Sequence, residues 1–228
     1  MQKPILDQLL RDRAAKRAVA LATYLVTGNA QLLYPSEAPK NELEQQVNIA
    51  LREDKARTVE TAEGEVFINV FNPPLRLLIA GAVHIAQPLA RMAVLTGYDV
   101  TIIDPRRAFA TGDRFPDITL LTEWPDAGVA ALQPDARTAI VTLTHDPKLD
   151  DAALKTALNS NSFYIGCLGS KKTHAARLER LRMAGFEEAA LGRIHGPVGL
   201  AIGAKSPAEI AISILSQMTS VLRGGAVT

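Results

Sequence analysis

Apolar residues follow two different patterns along this chain, and the change comes at Pro73-Pro74. Before it, the apolar positions are spaced. Ile5, Leu6, Leu9 and Leu10 predict a short amphipathic helix, and Leu43, Val47, Ile49 and Ala50 predict a second over residues 40–52. Residues 18–26 and 31–34 read as two strands joined through a Thr27-Gly28-Asn29-Ala30 turn. Residues 57–60 and 65–71, joined around Gly64, read as two more. Two adjacent prolines cannot donate to a β-ladder, so they mark a boundary. Residues 1–74 are expected to form a small α+β domain and residues 75–228 a second one.

Past the boundary the pattern becomes strand, turn, helix, strand. Residues 75–80 are a nearly unbroken apolar run, the mark of a parallel strand buried on both faces. Gly81 turns the chain. From Val83 onward, Ile85, Leu89, Met92, Ala93 and Leu95 recur at helical spacing as far as Gly97. Residues 98–103 form a second β-branched run, closed by Asp104, 23 residues after Gly81. This is the layout of a dinucleotide-binding βαβ unit, in which an acid about twenty residues past the glycine turn meets the ribose hydroxyls. In G-x-G-x-x-G terms the positions are Gly81, Val83 and Ala86. Ala86 is an accepted third member, whereas Val83 puts an isopropyl group where the backbone should approach a pyrophosphate.

The alternation continues through a strand at 118–121, a helix opened by Trp124-Pro125-Asp126, a strand at 138–143, a helix at 149–158, a strand at 163–166 and a long basic helix ending at Met183. A glycine-rich stretch at 195–203 precedes a last helix that opens with Ser206 as N-cap and Pro207 at its first position. The fold class is therefore α/β, a Rossmann-like parallel sheet domain preceded by a small α+β domain. Apolar residues cover much of the circumference of the last helix, more than one sheet face requires, which predicts a homodimer with this helix or the small domain at the contact.

Ligands of open parallel sheets bind beyond the carboxyl ends of the strands. Gly81, Ala82, Val83, His84, Asp104, Thr144 to Asp146 and Gly169 to Lys172 are expected to share one rim. Gly169, Ser170 and Lys171, with Lys172, place a hydroxyl, ammonium groups and free helix amides at one N-terminus, as a phosphate or carboxylate requires; a capped helix with solvated lysines is the plain alternative. Thr144 and His145 with Asp146 suit a proton-transfer pair or, more plainly, a capped loop. His84 is placed to donate to a phosphate or to face solvent, and Arg106 or Arg107 to meet a phosphate beside Asp104. Cys167, the only cysteine, reads as a core residue or as a nucleophile or sulfur carrier.

Composition narrows the classes. A formal net charge of +1 with 21% charged residues gives no sign of a nucleic-acid-binding surface or an acidic tail. One cysteine excludes an internal disulfide framework, and no His–carboxylate spacing suggests a metal site. Arg11, Asp12, Arg13, Lys16 and Arg17 interrupt the first thirty residues, so no signal peptide is read, and no apolar run has membrane-spanning length. The expected location is the cytoplasm.

A series of motifs then resembles one family. Gly81-Ala82-Val83-His84-Ile85-Ala86, Trp124-Pro125-Asp126, the run from Thr144-His145-Asp146-Pro147 to Asp151, and the run from Tyr164-Ile165-Gly166-Cys167 to Thr173 are its first members. Ile194-His195-Gly196-Pro197-Val198-Gly199-Leu200 and the helix start around Ile202-Gly203-Ala204-Lys205-Ser206-Pro207 complete it. In order and over about residues 75–222, they resemble the xanthine dehydrogenase accessory factor family (XdhC/CoxI). The resemblance implies a maturation factor that binds the molybdenum cofactor (molybdopterin) as cargo. It also implies support of sulfuration and insertion into an apo molybdenum hydroxylase of carbon monoxide dehydrogenase or xanthine dehydrogenase type. A sulfur-donating desulfurase is the further partner implied. The family's N-terminal Gly-Gly-Cys-Val-Glu type motif is absent here. The other function class left open is an oxidoreductase using FAD or NAD(P) on a small substrate.

Overall fold

The computed structural model describes residues 2–225. The chain divides into two compact units, Met1–Pro73 and Pro74–Thr228. The first contains α1 (Lys3–Ala14), β1 (Val19–Tyr24), β2 (Ala30–Leu33), α2 (Glu42–Glu53), β3 (Arg57–Thr61) and β4 (Gly64–Phe71). Its strands form an antiparallel sheet in the order β2-β1-β4-β3. Alternation puts Val66 and Ile68 on the inner face with Ala20 and Ala22, where they meet Val47, Ala50 and Leu51 of α2. Asn41 caps α2 by accepting from the Glu44 amide, and Asp54 ends it in the left-handed region. Asp12 is fully buried and accepts from Gln8, Arg17 and Tyr34, which fixes α1 to the segment after β2.

The second unit is a six-stranded sheet, parallel throughout, with helices on both faces. Its strands are β5 (Leu75–Ala80), β6 (Tyr98–Ile103), β7 (Thr119–Leu121), β8 (Thr138–Thr142), β9 (Tyr164–Cys167) and the short β10 (Ile194–His195), in the order β10-β9-β8-β5-β6-β7. Successive residues of β5 face opposite cores. Leu77 and Ile79 pack with α3 (Ala86–Leu95) and α8 (Pro207–Arg223), while Leu78 and Ala80 pack with α4 (Pro125–Ala131), α5 (Pro147–Leu158) and α6 (Lys171–Met183). A strand buried on both faces has no polar side to show, which is why residues 75–80 read as an apolar run broken only by the half-buried Arg76.

Three local readings change. The α3 helix starts at Ala86, not Val83, because residues 83–85 form a turn that leads the chain off β5. Asp146 caps α5, so that helix starts at Pro147. The stretch before residue 196 holds α7 (Glu188–Leu191) and β10, elements too short to leave a period in the sequence. The apolar breadth of α8 has a reason inside the unit. This helix packs against both α3 and β9, burying Ala211, Ile214 and Met218, and still leaves Ile212 exposed. Among the described residues no helix is long and apolar enough to cross a membrane.

Candidate functional site

The chain leaves β5 for β6 and β7 on one side and returns through β8 on the other, so the strand order reverses between β5 and β8. Ligand crevices of open α/β sheets lie at this switch point. The carboxyl ends of the strands are drawn into one rim by backbone bonds that run past the strands: Gly81 N–H to Ile103 O (2.9 Å), Leu143 N–H to Ala80 O (2.9 Å) and Leu168 N–H to Thr142 O (2.9 Å). Gly81 adopts φ +116°, and a Cβ there would lie 2.6 Å from Thr144 Cγ2 and 3.3 Å from Thr144 N. Glycine is thus required twice at this point, by the backbone conformation and by the close approach of the β8 end.

Asp104 is fully buried, and four donors fill its carboxylate. Oδ1 accepts from the amide and Nε of Arg106, both at 2.9 Å, and Oδ2 accepts from the Ala82 amide and Arg106 Nη2, both at 2.8 Å. Burial pushes this carboxyl up, but the Arg106 side chain and the two amides outweigh it and hold it below the ordinary value. The acid therefore pins the glycine turn, in place of offering free oxygens to a ribose. Arg106 lies over the Phe109 ring at 4.5 Å. From the other side Arg114 donates to Ala82 O at 2.8 Å. His84 is exposed and Val83 half-buried. No side chain caps α3, and Pro88 has no amide to offer in its first turn.

At the end of β8, Thr144 donates its hydroxyl (2.6 Å) and its amide (3.2 Å) to Asp150 Oδ1. His145 is exposed with φ +61°, and Asp146 uses Oδ1 to accept from the Lys148 amide at 2.9 Å. The Asp146 carboxylate is thus a helix cap before it is anything to His145. Asp150 is 1% exposed. Desolvation drives its carboxyl above the ordinary value, against the pull of Thr144, Arg177 and His145.

At the end of β9, Gly169 turns with φ +150°, and a Cβ would meet Thr173 at 3.3 Å and Arg177 Nη2 at 3.6 Å. Ser170 caps α6, its hydroxyl accepting from the Thr173 amide at 3.1 Å, while Lys171 and Lys172 are exposed in the first turn. Arg177, 2% exposed, donates from Nη2 to Leu168 O at 2.9 Å. The Cys167 thiol is fully buried, with the Thr142 hydroxyl against its sulfur, and desolvation pushes it up to about 12. Cys167 thus lacks the exposed, electropositive setting of a reactive thiol and packs within the apolar core beside α5 and α6.

The fold thus places Gly81, Ala82, Val83, His84, Asp104, Arg106, Thr144 and His145 at the strand ends flanking the switch point, and Gly169, Ser170 and Lys171 one strand further along the same rim, where Cys167 ends β9. The sequence reading gave Asp150, Arg114 and Arg177 no place in the site. Arg177 did leave a signal, since it stands one helical turn before the fully buried Leu181, a guanidinium in a core register. Among the described residues no group of three or more His, Cys, Asp or Glu side chains is placed to hold a metal ion.

Known proteins share this architecture. Residues 77–218 match the XdhC Rossmann domain. The chain is 32% identical over 198 residues to the molybdenum cofactor insertion chaperone PaoD of Escherichia coli (strain K12), covering 82% of this chain and 55% of that protein. It is 33% identical over 174 residues to a probable xanthine dehydrogenase subunit of Bacillus subtilis (strain 168), covering 73% and 51%. The crystal structure of a xanthine dehydrogenase from Bacillus halodurans superposes with a TM-score of 0.71 at 24% identity, over 96% of this chain and 66% of that one, a likeness of fold. The chain spans about half the length of these two curated relatives. By the match over its sheet domain, this chain belongs to the XdhC Rossmann-domain family.

Proposed function

We propose that this chain is a maturation factor for a molybdenum hydroxylase of xanthine dehydrogenase or carbon monoxide dehydrogenase type, which holds the molybdenum cofactor by its phosphate and passes it to the apo-enzyme. The observation that carries the reading is the ground beneath the Gly169 turn. Arg177 is enclosed there with Nε and Nη1 buried and without hydrogen-bond partners, while Lys171, Lys172 and the positive end of α6 lie above. A phosphate monoester fits that chemistry. In this reading Gly169, Ser170 and Lys171 hold the phosphate, Thr144 and His145 line the neighbouring strand end, and Arg106 and the Gly81–His84 turn close the far side. Kinship with an insertion chaperone supports it. In this reading Cys167, enclosed in the core, is not the sulfur carrier, and a desulfurase partner is the proposed source for any sulfuration of the cargo.

An adenine dinucleotide in its usual pose does not fit. Asp104 has its oxygens engaged, Val83 stands at the second glycine position, and Pro88 removes an amide from α3. An FAD- or NAD(P)-linked oxidoreductase rests on the βαβ turn alone. One preparation separates the two readings: absorbance reports flavin, and fluorescence after oxidative release reports pterin. Pterin retained by the wild type and transferred to an apo-hydroxylase, with retention weakened and its salt dependence flattened in Lys171→Ala/Lys172→Ala, is the expected result. Flavin without pterin overturns the proposal. A folded double variant with unchanged affinity and salt slope removes the lysines from the site.

A further inference from the structure

Arg177 enters the cargo reading as buried positive charge alone and Asp150 has no part in it, yet the geometry between the two is unusual. Asp150 Oδ1 takes both Thr144 bonds, whereas Oδ2 is buried with no hydrogen-bond partner. Arg177 Nη2 holds Leu168 O, whereas Nε and Nη1 are buried with none. The two groups face each other with Oδ2 and Nη2 3.9 Å apart, too far for a hydrogen bond. Opposite buried charges this close attract, but with no hydrogen bond between them Asp150 Oδ2 and Arg177 Nε and Nη1 keep part of their desolvation penalty unmet. Asp150 grips the turn after β8, and Arg177 grips the turn after β9. Anything that brings those turns together by about an ångström, down to ordinary hydrogen-bond length, closes the pair.

We propose that Asp150 and Arg177 are positioning residues forming a buried latch, which couples the Thr144 turn to the Gly169 turn through the 3.9 Å ion pair of this structure and tightens to a hydrogen bond when an anionic ligand bridges the turns on the rim. The ligand part rests on the phosphate reading above; the coupling does not. A phosphate accepting from the Gly169 turn and from the Thr144 side draws both turns inward, and the Arg177 guanidinium then donates to Asp150 Oδ2. The ligand thereby gains the free energy of a bond it does not touch. The coupling is also reciprocal, since a closed latch presents both turns at the spacing the phosphate needs.

The test is peptide-level hydrogen exchange on the full chain, following residues 143–146 and 167–170, with and without molybdenum cofactor released from a purified molybdenum enzyme. Asp150→Asn keeps the shape and removes the charge, and Arg177→Gln removes the guanidinium. Each is expected to speed exchange about tenfold in both segments, although each side chain bonds only one of them. In the wild type the cofactor slows both segments together, and in either variant it slows only residues 167–170. Should a buried substitution fail to fold, Thr144→Val asks the same question from the surface. It removes the hydroxyl that Asp150 holds, and it too is expected to loosen residues 167–170. Variants that each loosen only the turn they touch, at unchanged thermal stability, overturn the latch. Coupled exchange in a wild type that retains no cofactor supports the latch and overturns the cargo reading instead.

Discussion

Two buried aspartates at the switch point respond to protons in opposite senses. Asp104 has its carboxyl held below the ordinary value by its four donors, so the stability it adds is present above the unfolded value near pH 4 and is lost as pH falls through the folded one. Asp104→Asn is expected to cost about 1.5–3 kcal/mol at pH 7, the range for a hydrogen-bonded charge, and the difference should close below about pH 4. Asp150 is raised, so its contribution is complete below the unfolded value and fades as pH climbs through the folded one. Asp150→Asn should therefore compare best with wild type at pH 7 and worst below about pH 4. Urea unfolding of both variants from pH 3.5 to 8 checks the pair, and parallel curves would refute the contrast.

At the level of elements, the contact between the β5 and β8 ends decides the geometry of the rim. Gly81→Ala introduces both a disfavoured φ and a collision with Thr144, and we expect a loss of about 2–4 kcal/mol. Adding Thr144→Ser deletes Cγ2 and should recover the collision but not the strain; a double variant no better than Gly81→Ala would place the whole cost in the backbone. The strands other than β10 were legible as short apolar runs and α3, α5 and α8 by their helical apolar spacing, whereas α6 was read from its basic, uninterrupted composition. The rim was legible because Gly81, Asp104 and Gly169 are residue types with backbone or charge requirements of their own. What Asp104 does was not legible, since an acid at a strand end reads the same whether it faces a ribose or its neighbour Arg106. Asp150 and Arg177 were hidden for a related reason: their significance is a distance between two helices, and a sequence carries no distances.

For the whole molecule, the expected homodimer has a surface to be tested on the sheet domain, where Leu95 and Ile212 lie exposed with Met92 and Leu215 at one groove between α3 and α8. We expect wild type to scatter light as a dimer at micromolar concentration and Leu95→Asp/Ile212→Asp as a monomer. A wild-type monomer removes the assembly. The strand order has a further consequence, in time and not in space. Neighbours β5 and β6 are close in sequence, but β5 also pairs with β8, Arg76 opposite Thr138, and everything between must be synthesised before that ladder can form. Non-local parallel pairing is slow, and until it happens β5 is an edge strand with a glycine turn and no opposite wall. The crevice is consequently late in the life of the nascent chain. Under the proposed function, chains stalled on the ribosome before β8 emerges are expected to capture no cofactor.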